Sequence, residues 1–408
     1  MTHSILIIGR GVPYPISVGA DAARFGLLSA LARSFNVTLL AVDEGAQAEQ
    51  GAAALRRICK EVVLVPPAPA IRRGPAGFLM RNAKLLFRGE PRELQAEGSG
   101  QIGPALERLT SQKQFDLAHF HYWTTAQYRR FANCPAVLLN FDAWFETIAG
   151  YAQHSPSPLA RLSWMLEGWA TKRRELAAQR AFDWSLFFTE EDRKAMSDAL
   201  GGLPRSALLP LACPFDPVDA EALAGPREPL VLFTGALGAP FNIDAVTYFV
   251  HEIWPHVKAT APDARLVITG KEAHERVIAA GRAPGVTVAG WVDDLDDLFR
   301  RSAVFVAPMR IGTGVKVKVA HAMSRGLPVV GTRRAFRGLP DVEGLIAADE
   351  PQAFAHRIVE LLVTPERRQA LGLSALRVYR ERLWLDAMWP EVVRLYKRIL
   401  DDVDRPAG

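Results

Sequence analysis

The chain has 408 residues, 49% hydrophobic and 23% charged, which is the balance of a globular protein and too much sequence for one ordinary domain. Three scattered cysteines (Cys59, Cys134, Cys213) offer neither a metal-ligand spacing nor a disulfide framework, so a reducing compartment is expected. The uncharged run 229–243 is broken by Gly and Pro and falls short of the roughly 20 residues of a bilayer span, so no transmembrane helix is expected.

The opening residues, MTHSILIIGRG, contain an apolar run too short for a signal sequence and read as a first β-strand. Strands are predicted at 5–8, 37–42, 62–65, 117–120, 137–140, 185–188 and 207–209, with helical patterns such as 21–33 and 101–111 between them. The net charge of +5 arises in this half: residues 1–215 carry 24 Lys and Arg against 19 Asp and Glu, whereas 216–408 carry 25 of each. The excess gathers at 71–92, where Arg72, Arg73, Arg81, Lys84, Arg88 and Arg92 face only Glu90 and alternate with Phe78, Leu79, Leu85, Leu86 and Phe87. The first reading of this stretch is a solvated helix with its apolar face on the core, and the second is contact with an anionic membrane. Nucleic acid is not expected, since nothing resembles a reading helix or a stacking sheet.

Turn-rich residues at 213–217 and 224–229 mark a boundary. A second series of strands follows at 230–233, 266–269, 286–289, 304–307, 329–330 and 345–347. An amphipathic helix is predicted over 384–400. The βαβ order implies parallel sheets with helices on both faces. The expected organisation is an N-terminal domain over 1–213, a second over 214–383, and a terminal helix within 384–408 that packs back on the first.

The most informative segment is 304–332. A buried-type strand, Val304–Ala307, runs into Gly312-Thr313-Gly314, and a helical pattern then starts with Lys316 and Lys318. Glycines allow a backbone to approach phosphate closely. Unpaired N–H groups at a helix start favour an anion, and two ammonium groups add charge that a diphosphate would seek. Gly326 is placed to end that helix before Pro328 opens the next strand. Asp294 and Asp296 spell a D-x-D string, but they open a helical pattern and read as capping and first-turn acids rather than a metal–diphosphate site. Gly9-Arg-Gly11 lacks the third glycine of a dinucleotide fingerprint, since position 14 is Tyr.

In order, these features resemble glycosyltransferases of the GT-B fold, specifically the large retaining family four. Phe233-Thr-Gly235 followed by Pro240-Phe-Asn242-Ile-Asp244 resembles the opening of the family's nucleotide-binding domain. Val286 to Asp293, with Gly290, Trp291 and Val292, resembles its third strand, and Gly312 to Gly326 resembles its basic glycine-rich signature. In the amino half, Pro13-Tyr-Pro15 with Gly19 and Arg24 resembles the family's glycine loop. His119-Phe-His121 resembles its histidine strand end, and Glu190 to Arg193 a further motif. Three positions depart from the pattern. His321 stands where the family has a Glu on the ribose hydroxyls, Thr313 where many members have a second Glu, and Gly235 to Pro240 lacks a basic pair. An imidazole makes one hydrogen bond where a carboxylate offers two oxygens.

The resemblance implies two doubly wound Rossmann-like domains facing a central cleft. It further implies a retaining transferase taking sugar from a nucleoside diphosphate sugar to a glycan or lipid-linked hydroxyl. The implied donor site comprises Gly19, Gly235, Asn242, Gly290, Trp291, Val292, Gly312, Thr313, Gly314, Lys316, Lys318 and His321. Lys318 would act on the diphosphate, and His121 would orient the sugar or stabilise its cationic ring. No metal and no separate cofactor are implied, because lysines and a helix dipole supply the positive charge. The expected location is the cytoplasm, with the inner face of the plasma membrane as a peripheral site through 71–92. Two alternatives are a nucleotide-sugar epimerase of the same fold and a non-catalytic relative that binds a glycan or partner.

Overall fold

The computed structural model describes residues 2–43, 45–67, 75–96, 100–155 and 157–403. Arg72 and Arg73 of the basic stretch lie outside the described residues, as do the side chains of Phe78 and Leu79. The chain divides into two units. One comprises Met1–Leu211 with Trp389–Gly408, the other Ala212–Met388.

Unit one is built on a sheet of seven parallel strands: β1 (Ser4–Ile8), β2 (Asn36–Val42), β3 (Glu61–Val65), β4 (Leu117–His121), β5 (Ala136–Asn140), β6 (Trp184–Phe187) and β7 (Ser206–Leu208). Their order is β3-β2-β1-β4-β5-β6-β7, with Ile5 opposite Val37 on one side and Leu117 on the other. The central strands are buried along nearly their whole length, as expected of a parallel sheet covered on both faces, and are apolar apart from Ser4, His119, His121 and Asn140. Helices α1 (Gly19–Ala32), α2 (Pro75–Arg88), α3 (Trp144–Gln153) and α4 (Pro158–Gln179) belong to this unit.

Unit two has six parallel strands: β8 (Leu230–Thr234), β9 (Arg265–Thr269), β10 (Val286–Gly290), β11 (Val304–Ala307), β12 (Val329–Gly331) and β13 (Leu345–Ala347), in the order β10-β9-β8-β11-β12-β13. Helix α5 (Pro240–Tyr248) follows β8 and opens on a proline, whose fixed φ and missing N–H suit a first helical position. Helix α6 (Val317–Ser324) follows β11 and ends at Gly326, whose φ of 60° is the left-handed conformation that suits glycine. Helix α7 (Leu385–Val403) closes the described chain, and its Tyr396 is buried in unit one.

Both sheets are doubly wound, so the expected α/β class holds. All thirteen strands fall within a residue or two of their predicted positions. Each sheet also has a switch point, where strand order reverses and the loops leaving two neighbouring strands part to opposite sides. Ligands of such sheets bind in the crevice that results. In unit one that point lies between β1 and β4, and in unit two between β8 and β11. Among the described residues no helix is long and apolar enough to cross a membrane.

Candidate active site

In unit two the chain leaves β8 through Gly235 into α5 and leaves β11 through Gly312-Thr313-Gly314 into α6. Lys318, in the first turn of α6, reaches back to the β8 side. Its Nζ donates to Asn242 Oδ1 at 2.7 Å and lies 4.3 Å from the centre of the Phe233 ring. Asn242 is fixed in turn, donating to the Ala236 carbonyl at 2.9 Å. The space between them is tight: a Cβ on Gly235 would stand 2.9 Å from both Lys318 Nζ and Asn242 Nδ2, so those tips would have to shift. Burial of the ammonium, reinforced by Lys316, lowers the Lys318 pKa to about 7. A cation held near its neutral point gains much from an arriving anion, which restores the charge that burial disfavours.

Lys316 sits at the N-cap rather than inside the helix. Its buried Nζ donates to the carbonyls of Thr313 and Gly314 at 2.6 and 2.9 Å. The glycines flanking Thr313 have φ of 98° and 71°, conformations that a β-carbon would strain. One lysine therefore holds the turn while the other faces the crevice.

The strand ends of β8, β9 and β10 form a connected edge. Thr269 Oγ1 and the Gly270 N–H both donate to the Gly290 carbonyl, at 2.6 and 2.8 Å, and a Cβ on Gly270 would fall 1.6 Å from the Gly235 carbonyl oxygen. Gly290 has φ of 67° and open space where a side chain would be. Beyond it Trp291 is exposed, with Lys271 Nζ 4.5 Å over its ring, and Val292 is half-buried.

His321 lies one turn beyond Lys318 on α6, among different neighbours. Its ring stacks on Phe215 at 3.9 Å and 5° and lies 4.6 Å from the Phe299 ring. Its Nε2 is 3.9 Å from an oxygen of Asp296, a carboxylate that Arg325 already grips at 2.8 and 3.0 Å. Burial, with Arg325 adding to it, pushes His321 down to about 3, so the ring is neutral at ordinary pH. Asp294 caps the helix Leu295–Arg301 by accepting from the Asp297 N–H at 2.9 Å, so the D-x-D string serves as a helix start.

In unit one, His121 ends β4 at the switch point. It is buried, and its Nε2 has no hydrogen-bond partner among the described residues. Burial, then His119 and Arg24, holds it well below the usual histidine range. His119 meets it edge-on at 4.8 Å, and the Tyr396 hydroxyl from α7 is 2.5 Å from His119 Nδ1. On the β1 side, Arg24 pairs with Asp21 at 2.5 Å and donates to the Gly11 carbonyl. Asp21 also accepts from the Ser17 hydroxyl at 2.8 Å and from the Ser17 and Val18 N–H groups. This bracing leaves Gly19 exposed as the first residue of α1.

Several residues that hold these sites have no site role in the sequence pattern, including Phe233 and Asp244, which it shows only as parts of a motif. Phe233 carries Lys318. Arg310 ties the β11 loop to α5 through both Asp244 oxygens, at 2.7 and 3.1 Å, and covers the Tyr248 ring at 4.2 Å. Phe215 and Tyr396 pack on His321 and His119 across more than a hundred residues of sequence, a separation that periodicity does not register.

The arrangement is that of a two-unit, doubly wound α/β protein whose charged and imidazole groups gather at the switch points. Residues 228–364 match the family Glycosyl transferases group 1. A stretch of 161 residues is 26% identical to a protein of Klebsiella pneumoniae described as an uncharacterized 44.6 kDa protein in the cps region. That match covers 37% of this chain and spans 42% of the relative's length. Among solved structures, sucrose-phosphate synthase from Thermosynechococcus elongatus superposes with a TM-score of 0.71 at 18% identity, covering 98% of this chain and all of the other. Anabaena Alr3699/HepE, solved with UDP and glucose, gives a TM-score of 0.65 at 13% identity, covering 96% and 99%. TarM gives 0.67 at 8% identity, covering 98% and 99%. These likenesses show the fold, two Rossmann-like domains of the GT-B type.

Proposed function

We propose that the protein is a retaining glycosyltransferase of family four type. It would move a sugar from a nucleoside diphosphate sugar to a hydroxyl of a glycan or lipid-linked acceptor in cell-surface polysaccharide synthesis. The observation that carries this reading is Lys318, held at the β8–β11 switch point between the Phe233 ring and Asn242 with its pKa lowered to about 7. As the glycosidic bond opens, negative charge develops on the departing diphosphate. A preorganised ammonium in a low-dielectric crevice stabilises that charge better than it stabilises the ground state. Lys316 braces the turn through the Thr313 and Gly314 carbonyls, and on this reading the N–H groups of that turn would meet the same charge.

Gly235, Asn242, Gly290, Trp291, Val292, Gly312 and His321 complete the donor site on this reading, and Gly19 contributes the start of α1. His121, neutral and with an unpartnered Nε2, would orient the sugar or face its cationic ring. The positive charge at the crevice comes from protein groups, so the chemistry needs no metal. The cps-region relative supports a polysaccharide pathway, and the UDP-bound neighbour makes UDP-sugars the first donors to try. Retention rests on the family resemblance. The same reading assigns a cytoplasmic location and gives the basic stretch at 71–92 an anionic membrane surface as partner.

The test is a screen of the purified protein against nucleotide-sugar donors, with and without glycan acceptors, following released nucleoside diphosphate. Release that depends on acceptor and vanishes in Lys318→Met is expected. An epimerised nucleotide-sugar formed without acceptor would replace this reading with the epimerase. No binding of any nucleotide-sugar by calorimetry, with the fold intact, would leave a non-catalytic binding protein.

A further inference from the structure

Helix α4 is inside out for a helix on a water-facing unit. Its inward stripe, at four-residue spacing, is Glu167, Thr171, Glu175 and Gln179, none more than 3% exposed. Its outward stripe is Leu159, Leu162, Met165, Leu166 and Trp169, between 39% and 80% exposed. Among the described residues the Thr171 hydroxyl has no hydrogen-bond partner, but the other three inward groups have specific ones, so the orientation is built in. Glu175 accepts from the Trp144 and Phe145 N–H groups at the start of α3, Glu167 accepts from the Arg92 N–H, and Gln179 pairs with Asn140. Turning the helix over would bury the apolar stripe but would strip two carboxylates of these donors.

Helix α2 extends the surface. Leu85 faces the core, but Met80, Leu86 and Phe87 are exposed, Phe87 by 87%. The solvated-helix reading of 71–92 thus accounts for only part of its apolar residues. The two helices are joined where Arg174 donates to the carbonyls of Arg88 and Gly89 at 3.1 Å, and beside that joint Arg173 lies 5.9 Å over the Trp169 ring. Exposed apolar side chains on two joined helices are the kind of surface that marks an interaction site.

Charge identifies the occupant. The sequence of α2 contains no Asp or Glu, and both acids of α4 point inward. The ionisable groups these helices present outward are therefore all cations, among them Lys84, Arg88, Arg161, Lys172 and Arg173. Exposed Leu, Met, Phe and Trp set among uncompensated Lys and Arg suit the boundary between acyl chains and anionic headgroups. We propose that the α2–α4 face of unit one beds into the surface of an anionic lipid bilayer. This deepens the lipid-linked acceptor reading above but stands on α4, which the basic stretch does not include.

The test uses the full chain and sedimented vesicles, either phosphatidylcholine alone or an equal mixture with phosphatidylglycerol. Binding is expected only to the mixture and should weaken as salt is raised. Leu162→Ser with Trp169→Ser, both at exposed positions, should lower vesicle affinity by about tenfold or more with an unchanged thermal transition. Arg161→Glu with Arg173→Glu should abolish the preference for phosphatidylglycerol. Equal binding to both vesicle types, no binding to either, or wild-type binding by both variants would overturn the proposal. Self-association in solution that the serine variant disperses, without vesicle binding, would also overturn it and assign the face to a second copy of the chain. Nucleoside diphosphate release on a soluble acceptor involves none of these side chains. Turnover without vesicle binding therefore sinks only the membrane proposal, and vesicle binding without turnover sinks only the transferase.

Discussion

Lys318 and His321 sit one helical turn apart and are pushed in the same direction by burial, with different consequences. For Lys318 the folded pKa of about 7 lies below the ordinary lysine value. Between the two values the unfolded chain binds more protons than the folded one, so this residue makes stability rise with pH across that window. Lys318→Met should remove that contribution and raise the melting temperature near neutral pH, by about 2–4 °C per kcal/mol gained in a unit of this size. A lower melting temperature in the variant would mean that the ammonium is net stabilising where it lies. At His321 the stacked Phe215 ring and the tilted Phe299 ring fit a flat neutral group better than a carboxylate. His321→Glu should cost about 1 kcal/mol of stability and shift nucleotide affinity about threefold or more, because a carboxylate offers a ribose two oxygens. Nucleotide affinity unchanged in calorimetry would place His321 outside the ribose site. The sequence made both residues visible through their place in a glycine-rich signature. It could not show that Lys316 folds onto its own turn or that His321 is clasped by aromatic rings from 215 and 299, since those are contacts between distant segments.

At the scale of elements, the legible parts were those whose physics is local. Buried parallel strands are short, continuous apolar runs, and the glycine turns between strand and helix mark where each run ends. Helix α4 was not legible, because amphipathic pattern reading assigns the apolar stripe to the core and here that stripe faces outward. What betrays it is the four-residue recurrence of Glu167, Thr171, Glu175 and Gln179, of which the two acids and the amide bury with hydrogen-bond partners. The strand-end glycines make a graded prediction. Gly235→Ala would press on the tips of Lys318 and Asn242, which can move, whereas Gly270→Ala would drive a Cβ into the Gly235 carbonyl at a φ of 149°. The first should weaken nucleotide binding with a stability loss of about 1 kcal/mol. The second should cost about 3 kcal/mol or more. Equal losses in urea unfolding would show that the β8–β9 edge is looser than its geometry implies.

At the scale of the molecule, both units carry buried neutral histidines. Burial takes His119 in unit one and His321 in unit two down to about 3, and His121 well below its ordinary value. The unfolded chain takes up these protons as pH falls below about 6.5 and the folded one does not, so this part of the stability is full above that pH and is lost toward pH 3. Glu167 and Glu175, raised by burial, act in the opposite sense as pH falls. Comparison of wild type with His119→Asn isolates the histidine, since Asn can still bond the Tyr396 hydroxyl. The variant should lose less stability than wild type between pH 7 and pH 5. Parallel melting curves across that range would show that His119 titrates in the folded state.

Unit two is one uninterrupted stretch of chain, whereas unit one takes in residues from both sides of it, with Tyr396 supplying the partner of His119. On the ribosome this sets an order of events. The first two hundred residues emerge with a sheet whose histidine face lacks its cover, and the cover is synthesised only after all of unit two. The unit made second can therefore be finished first, and the imidazole pair of the earlier one waits until all of unit two has been translated.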